Sequence, residues 1–380
     1  MMSCTDLESY LLLYHALESH ANRMHRLLAR AGSARGALEL PVDSLQQLKL
    51  DDDVIQRIQT ARDSNSRARQ ALEQTLRWRQ QDEHSLVLFD DHRYPALLRE
   101  LPDPPPVLFV RGDPGIFCQP CIALVGSRNC SRYGRDLAGR ISRDLGRAGF
   151  TVVSGLASGI DTAAHMASVI QDKPTIAVLG NGLNTIYPKA NAELASSISH
   201  GAGRGAVISE FPLHSPPDAF HFPQRNRIIS GLSLAVCVIE ATLRSGSLIT
   251  ARLALEQGRH VFAVPGSVNT PGSRGCHSLL RQGATLAENA TDIIEQLAPM
   301  VQGQLELQTK EIPGNAISDK AVSVPNGCTD LLRLIADDGV TSDALMSHSQ
   351  LPLPSLNLKL LQLELSGHIC KQAGKWFINR

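Results

Sequence analysis

Aromatic residues make up only 4% of this 380-residue chain, which leaves few rings for an extended stacking surface. Net charge is missing as well. Lys+Arg and Asp+Glu both number 37, so any attraction to a polyanion has to come from a local patch. No stretch approaches the ~18–20 consecutive apolar residues of a membrane span. No basic region, apolar core and cleavage site follow one another at the N-terminus. A soluble, cytoplasmic protein with no membrane partner is therefore expected. The eight cysteines are scattered, as suits reduced thiols. Cys118 and Cys121 form one C-x-x-C, but no second pair stands at a spacing that would complete a zinc site. The phosphate-binding G-x-x-x-x-G-K-[ST] and the dinucleotide G-x-G-x-x-G are both absent, so a nucleotide of either kind is disfavoured and no cofactor is expected. What remains is ordinary: 43% hydrophobic residues are enough for a core, and 19% charged residues exclude wholesale disorder.

The informative stretch runs from Cys121 to His165. Ile122–Val125 is a short apolar run closed by Gly126. Leu137, Ile141 and Leu145 then recur at helical spacing, Gly149 ends that helix, and Thr151–Val153 is a second strand. Two parallel strands need such a crossover. Both run into small-residue loops, Gly126-Ser127-Arg128 and Ser154-Gly155-Leu156-Ala157-Ser158-Gly159. Ligands of open α/β sheets bind at these carboxyl ends, and free N–H groups at the following helix N-termini attract anions. The stretch reads as an anion site, with Arg128 where a phosphate would approach. Arg132, Arg135, Arg140, Arg143 and Arg147 follow on the helix, most of them as a solvated face.

Along the chain, helical spacing predominates at Leu7–Arg30, Leu38–Leu48 and Val54–Trp78, with Asp51-Asp52-Asp53 as a cap region. Strands are expected at Ser85–Phe89 and Val107–Val110, around a proline-rich elbow at Pro102–Pro106. Strands and helices then alternate through Ile122–Val125, Thr151–Val153, Thr175–Leu179, Ala206–Ser209, Ala235–Glu240 and His260–Val264. That alternation means a doubly wound, mostly parallel sheet, an α/β fold. Residues 299–326 read as a polar linker. Residues 327–380 read as helix, helix, helix and hairpin, the winged-helix order, with Leu353–Ser366 as the longest helix and Gly374 at the hairpin. Lys359 is the one base on that helix, a poor provision for reading duplex DNA.

Several segments carry chemistry-bearing residues together: Val125-Gly-Ser-Arg128 with Tyr133-Gly134; Ser154-Gly-Leu-Ala-Ser-Gly-Ile-Asp161 with His165; and Tyr187-Pro-Lys-Ala-Asn191. They continue with Phe222-Pro-Gln-Arg-Asn-Arg227, Ser245-Gly-Ser-Leu-Ile-Thr-Ala-Arg252 and Val264-Pro-Gly266. In this order, from about residue 122 to 288, they resemble the motifs of the DprA/Smf family (DNA-processing protein A). The resemblance implies a small helical, SAM-like domain at 1–84 and an extended Rossmann-like DNA-binding domain at 85–298. A winged helix at 327–380 follows the linker. It also implies a homodimer that binds single-stranded DNA and loads the RecA recombinase onto incoming DNA in natural transformation, without catalysis. Arg128 and Lys189 carry over from that resemblance as DNA contacts, and both also follow expected strands at the carboxyl edge. Ser127, Asn191, Arg225 and Asn226 complete the expected DNA-binding set. Arg225 and Arg227 have two readings, a basic rim to the groove or pins holding the loop to Glu210 or Glu240, with Arg225 the better DNA candidate. Asp161 and His165 read as a capping or packing pair. The competing class is an enzyme, a nucleotide N-glycosidase of the lysine-decarboxylase-like group. Its glycine-rich loop should be followed by a carboxylate within a turn, and here the helix after Ser245-Gly-Ser247 has no acid until Glu256.

Overall fold

The computed structural model describes residues 4–18, 20–203 and 205–297, and thereafter 329–335, 340–349, 351, 355–356, 359–360, 363, 369–372 and 375–378. The chain forms two compact units, Met1–Glu288 and Asn289–Arg380.

The first unit begins with helices α1 (Cys4–Ala16), α2 (Ala21–Ala31), α3 (Ala34–Leu38), α4 (Val42–Gln47), α5 (Asp52–Thr60) and α6 (Arg67–Arg79). The three helical stretches expected from spacing are each divided. Leu7–Arg30 breaks where Glu18 takes φ +51° and His20 caps α2 in extended conformation. The N-cap of α4 is Pro41, whose fixed φ suits a helix start. Ser66 starts α6 afresh, its hydroxyl accepting from the Arg69 N–H at 3.0 Å. Helical spacing persists through these breaks because turns of the same bundle bury the same face.

Nine strands follow in one sheet: β1 (His84–Leu88), β2 (Val107–Gly112), β3 (Cys121–Val125), β4 (Thr151–Ser154), β5 (Thr175–Val178), β6 (Ala206–Ser209), β7 (Ala235–Val238), β8 (His260–Ala263) and β9 (Thr285–Leu286). Their spatial order is β1-β2-β6-β5-β4-β3-β7-β8-β9. All pairs from β6 to β9 are parallel, whereas β1–β2 and β2–β6 are antiparallel. The α/β architecture with a mostly parallel sheet is as the sequence predicts. Helices α7 (Ala96–Arg99), α8 (Arg132–Arg147), α9 (Ile160–Ile170), α10 (Ala192–His200), α11 (His221–Gly231), α12 (Ser247–Glu256) and α13 (Arg274–Arg281) intervene.

Strand β2 shows how the two faces are filled. Val107 and Phe109 join a core containing Leu11, Leu13, Tyr14 and Leu72 of the helical segment. Leu108 and Val110 face the other way, toward Leu98, Ile228 and Ile229. This is the two-residue alternation of a strand buried on both sides. The helical segment thus shares a core with the sheet. Polar ties reinforce it: the Tyr14 hydroxyl donates to the Glu210 carbonyl at 2.6 Å and the Tyr10 hydroxyl to the Pro106 carbonyl at 3.1 Å.

In the second unit, helices Thr329–Leu334 and Ser342–Ser349 accompany strands β10 (Val340–Thr341), β11 (Ile369–Gln372) and β12 (Lys375–Ile378), paired in the order β10-β12-β11. Leu331, Leu345, Leu356, Leu360 and Trp376 make a small core. The Thr341 hydroxyl accepts from the Ala344 N–H at 3.3 Å, capping the helix Ser342–Ser349. Of the helix expected over Leu353–Ser366, residues 355–356, 359–360 and 363 are described and helical. The expected linker at 299–326 and Gly374 lie outside the described residues.

Candidate nucleic-acid interface

The strand order reverses at β3. The chain passes from β3 to β4, β5 and β6 on one side, then returns to β7 and β8 on the other. Such a switch point leaves a crevice between loops that diverge above the carboxyl ends. Here it is a cleft of about 710 Å³, bounded by the loops after β3 and β7 and by the starts of α9, α11 and α12. Ser127, Arg128, Arg225 and Asn226 all line it, so four of the six residues expected at DNA come together.

The Arg128 loop is held from both sides. Its Ser127 N–H donates to the Glu240 carbonyl at the end of β7, at 2.6 Å. The Ser127 carbonyl accepts from the Ile160 N–H at the start of α9, at 3.2 Å. The Ser127 hydroxyl accepts from the Asn129 N–H at 3.2 Å. Ser131 caps α8, its hydroxyl accepting from the Gly134 N–H at 3.0 Å and donating to the Glu240 carboxylate at 2.9 Å. A loop pinned in this way presents the exposed Arg128 side chain without having to order itself. The guanidinium lies 5.4 Å from the centre of the Phe222 ring, within cation–π range.

Lys189 is exposed and opens the single turn Lys189–Asn191 ahead of α10. It lies two residues beyond Tyr187, which lines the cleft. Asn191, expected at DNA, is instead buried. Its amide donates to the Leu156 carbonyl at 2.8 Å and to the Thr162 hydroxyl at 2.9 Å, tying the Lys189 turn to the loop after β4. Asn226 is half-buried and reaches the Gly246 carbonyl at 3.5 Å.

Arg225 departs furthest from the expectation of a rim contact. It is only 4% exposed, and its Nη1 donates to the Gly155 carbonyl at 2.7 Å and to the Val178 carbonyl. Burial pulls the guanidinium down to about 10 while the nearby Asp161 carboxylate raises it, so it stays charged at neutral pH. A cation on two strand-end carbonyls, β4 and β5, fixes the cleft wall from below. Arg227 fulfils the pinning alternative. It pairs with the buried Glu210 carboxylate, and its Nη1 donates to the Asp103 carbonyl at 2.8 Å. Asp161 accepts from the Gly155 N–H at 3.0 Å and the Ala157 N–H at 3.4 Å, while His165 Nδ1 meets the Thr175 hydroxyl at 2.8 Å. Burial holds that imidazole neutral, its pKa pushed down to about 3. The sequence reading gave Tyr187 and Phe222 no role, although both line the cleft. Their signal was an aromatic residue within three positions of a basic one, Tyr187 with Lys189 and Phe222 with Arg225.

Among the described residues no group of His, Cys, Asp and Glu could hold a metal ion, and no helix is long and apolar enough to cross a membrane. Cys118, Cys121, Cys130, Cys237 and Cys276 are unbridged.

The chain is similar to several known proteins. A family model described as DNA recombination-mediator protein A matches residues 85–298, and a DprA winged-helix domain model matches residues 328–375. Protein Smf of Escherichia coli is 42% identical over 294 residues, covering 77% of each chain. The DNA processing protein DprA of Bacillus subtilis is 45% identical over 206 residues, covering 54% of this chain and 68% of its own. The crystal structure of DprA from Streptococcus pneumoniae superposes with a TM-score of 0.65 at 35% identity, covering 77% of this chain and 98% of that one. DNA processing protein A of Helicobacter pylori has a structure described for its single-stranded DNA binding mode. It matches with a TM-score of 0.51 at 30% identity, over 57% of this chain and 95% of that one. With a switch-point cleft carrying Arg128, and with matches spanning the sheet and the winged helix, this chain belongs to the DprA/Smf family of DNA processing proteins.

Proposed function

We propose that the protein binds single-stranded DNA across the carboxyl edge of its sheet. There it acts as a recombination mediator, protecting the strand and passing it to a RecA recombinase. The observation that carries this reading is the exposed Arg128 on a loop pinned by Glu240 and Ile160 at the mouth of the switch-point cleft. Arg128 and Lys189 supply charge to phosphates. Ser127, Asn191 and Arg225 hold the loops that carry them, and Asn226 braces α11 against the loop after β7. The family's role implies a cytoplasmic homodimer acting in natural transformation.

The acids at the strand ends support binding rather than hydrolysis. Asp161 is held by two backbone N–H groups, Glu210 by Arg227, and Glu240 by the cap of α8. None is left paired with another carboxylate across the cleft, as N-glycosidic cleavage would ask of them.

Backbone neutralisation releases counterions, so affinity falls steeply with salt and depends little on sequence. Arg128→Ala and Lys189→Ala are each expected to weaken binding of all single strands alike and to reduce the salt slope by about one phosphate. Both side chains are exposed, so melting temperatures stay at the parent value. A salt titration of affinity for parent and variants is the test. Unchanged affinity and slope in both variants would move DNA off this edge, and release of free base from nucleoside monophosphates would then establish the enzyme instead.

A further inference from the structure

The arginines of α8 do not form one uniform solvated face. Arg132, Asp136, Arg140 and Asp144 follow one another at four-residue spacing, and Arg132 lies 3.9 Å from Asp136. That ridge alternates in charge and largely neutralises itself. The neighbouring ridge, at the same spacing, is Arg135, Gly139, Arg143 and Arg147, with no acid in it. Among the described residues, Arg135 and Arg143 form no ion pair, whereas Arg147 lies 3.5 Å from Asp144. Arg143 lies back over Gly139: a Cβ there would stand 3.8 Å from its Nη1 and 3.8 Å from the Ala167 Cβ of α9. The acid-free ridge therefore borders the seam where α8 packs on α9, a seam that Ser142 ties by donating to the Ala164 carbonyl at 2.6 Å. Across the seam α9 turns apolar side chains to solvent. Met166 is 47% exposed and Ile170 75%. Four residues apart, they share one face, and Ile170 is the surface neighbour of Ala167 three positions before it. Lys173 adds a cation at the far end, its stem 3.1 Å from where a Gly146 Cβ would stand. The two helices thus present a track about 24 Å long, basic along one side and apolar along the other. Its near end adjoins the cleft, since Arg128 and Asn129 ahead of α8 and Ala157 ahead of α9 all line it.

We propose that single-stranded DNA leaving the cleft continues along this track, with phosphates on Arg135, Arg143 and Lys173 and bases turned toward Met166 and Ile170. This rests on the reading of the cleft as a DNA site and extends the bound length beyond it. The occupant follows from charge and continuity. A ridge of cations without an acid suits a polyanion, and the strand held at Arg128 is a polyanion already at the head of the track. Two exposed apolar side chains by themselves need no explanation. Beside such a ridge they match the other half of a single strand, its unpaired bases. A duplex turns its bases inward and meets only the arginines.

The test separates the track from the cleft by strand length. Salt titrations of affinity are run with thymidine oligonucleotides of about 6 and about 16 nucleotides, a short strand for the cleft alone and one long enough to reach the track. The double variant Arg135→Ala/Arg143→Ala keeps the helix, since alanine is the strongest helix former. It is expected to bind the long strand about tenfold more weakly at low salt, with the salt slope lower by about 1.4 for two lost phosphate contacts, and to bind the short strand as the parent does. Ile170→Glu, at a position open to solvent, should weaken the long strand severalfold and leave the short one unchanged. A charge-matched control, Arg67→Ala/Arg79→Ala on the exposed face of α6, should leave both strands at the parent value. Parent-like binding of the long strand by Arg135→Ala/Arg143→Ala overturns the path and leaves the track to an acidic partner protein. Equal loss in the α6 control, or equal loss for the two strand lengths, overturns it as well. Failure of the cleft reading itself looks different: Arg128→Ala then leaves binding of both strands untouched.

Discussion

Gly159→Ala tests how the fold aims Arg128. Gly159 precedes α9 with φ +86° and ψ −121°, a conformation that a side chain makes costly by on the order of 1–3 kcal/mol. A Cβ at this position would run into the Ser127 carbonyl oxygen and lie 2.7 Å from the Arg128 oxygen and 2.9 Å from its carbonyl carbon. Relief requires the Arg128 loop to retreat by roughly 1 Å to reach ordinary contact distance. That movement strains the Ile160-to-Ser127 and Ser127-to-Glu240 hydrogen bonds, worth about 1 kcal/mol each. The expected loss of stability is about 3 kcal/mol. Gly258 provides the control. It also has positive φ, +69°, but nothing lies within 4 Å of a Cβ there, so Gly258→Ala should cost only about 1 kcal/mol. Urea unfolding of both variants gives the difference. A salt titration of DNA affinity then asks whether Gly159→Ala weakens binding about as much as Arg128→Ala, while Gly258→Ala leaves it at the parent value. Equal destabilisation by the two substitutions, or full DNA affinity in Gly159→Ala, would refute the claim that this loop is held in place by backbone contact.

Arg227→Met should cost about 3–5 kcal/mol in urea unfolding, because it strands the buried Glu210 carboxyl, whose pKa burial already raises to about 7. Adding Glu210→Leu should recover most of that loss, and a single variant within 1 kcal/mol of the parent, by the same scale, would refute the pairing. Burial pushes His15 down to about 4 from an ordinary 6.5, so the native state holds it neutral. Its contribution is complete above pH 6.5 and is lost as pH falls toward 4, by about 2 kcal/mol at pH 5. His15→Gln should therefore lose less stability than the parent between pH 7 and 5, and identical pH profiles would contradict this. Ser131→Ala removes the cap of α8 and should lower stability by about 1 kcal/mol, read from the unfolding midpoint; a midpoint unmoved by the change would leave Glu240 as the effective cap.

Strands β3 to β8 and the helices between them were legible in the chain because an apolar run closed by glycine, followed by helical spacing, has one stable outcome in a parallel sheet. The Arg128 loop was legible for the same reason, since a strand end followed by a helix start is where anions meet free N–H groups. Lys189 entered through a motif and its place after a strand. The break at Glu18 was not legible, because it has neither glycine nor proline to announce it. Arg225, Asn191 and Arg227 were visible as polar residues in loops, but sequence says nothing about which polar group a fold buries. Tertiary structure decided that. Arg225 meets two carbonyls at the ends of β4 and β5, 70 and 47 positions away in the chain, and Arg227 meets a carboxylate 17 positions away. The same holds for the aromatic rings. Composition recorded their scarcity, whereas only the strand order, by bringing the segments after β5 and β6 to one edge, set the Tyr187 ring beside that of Phe222.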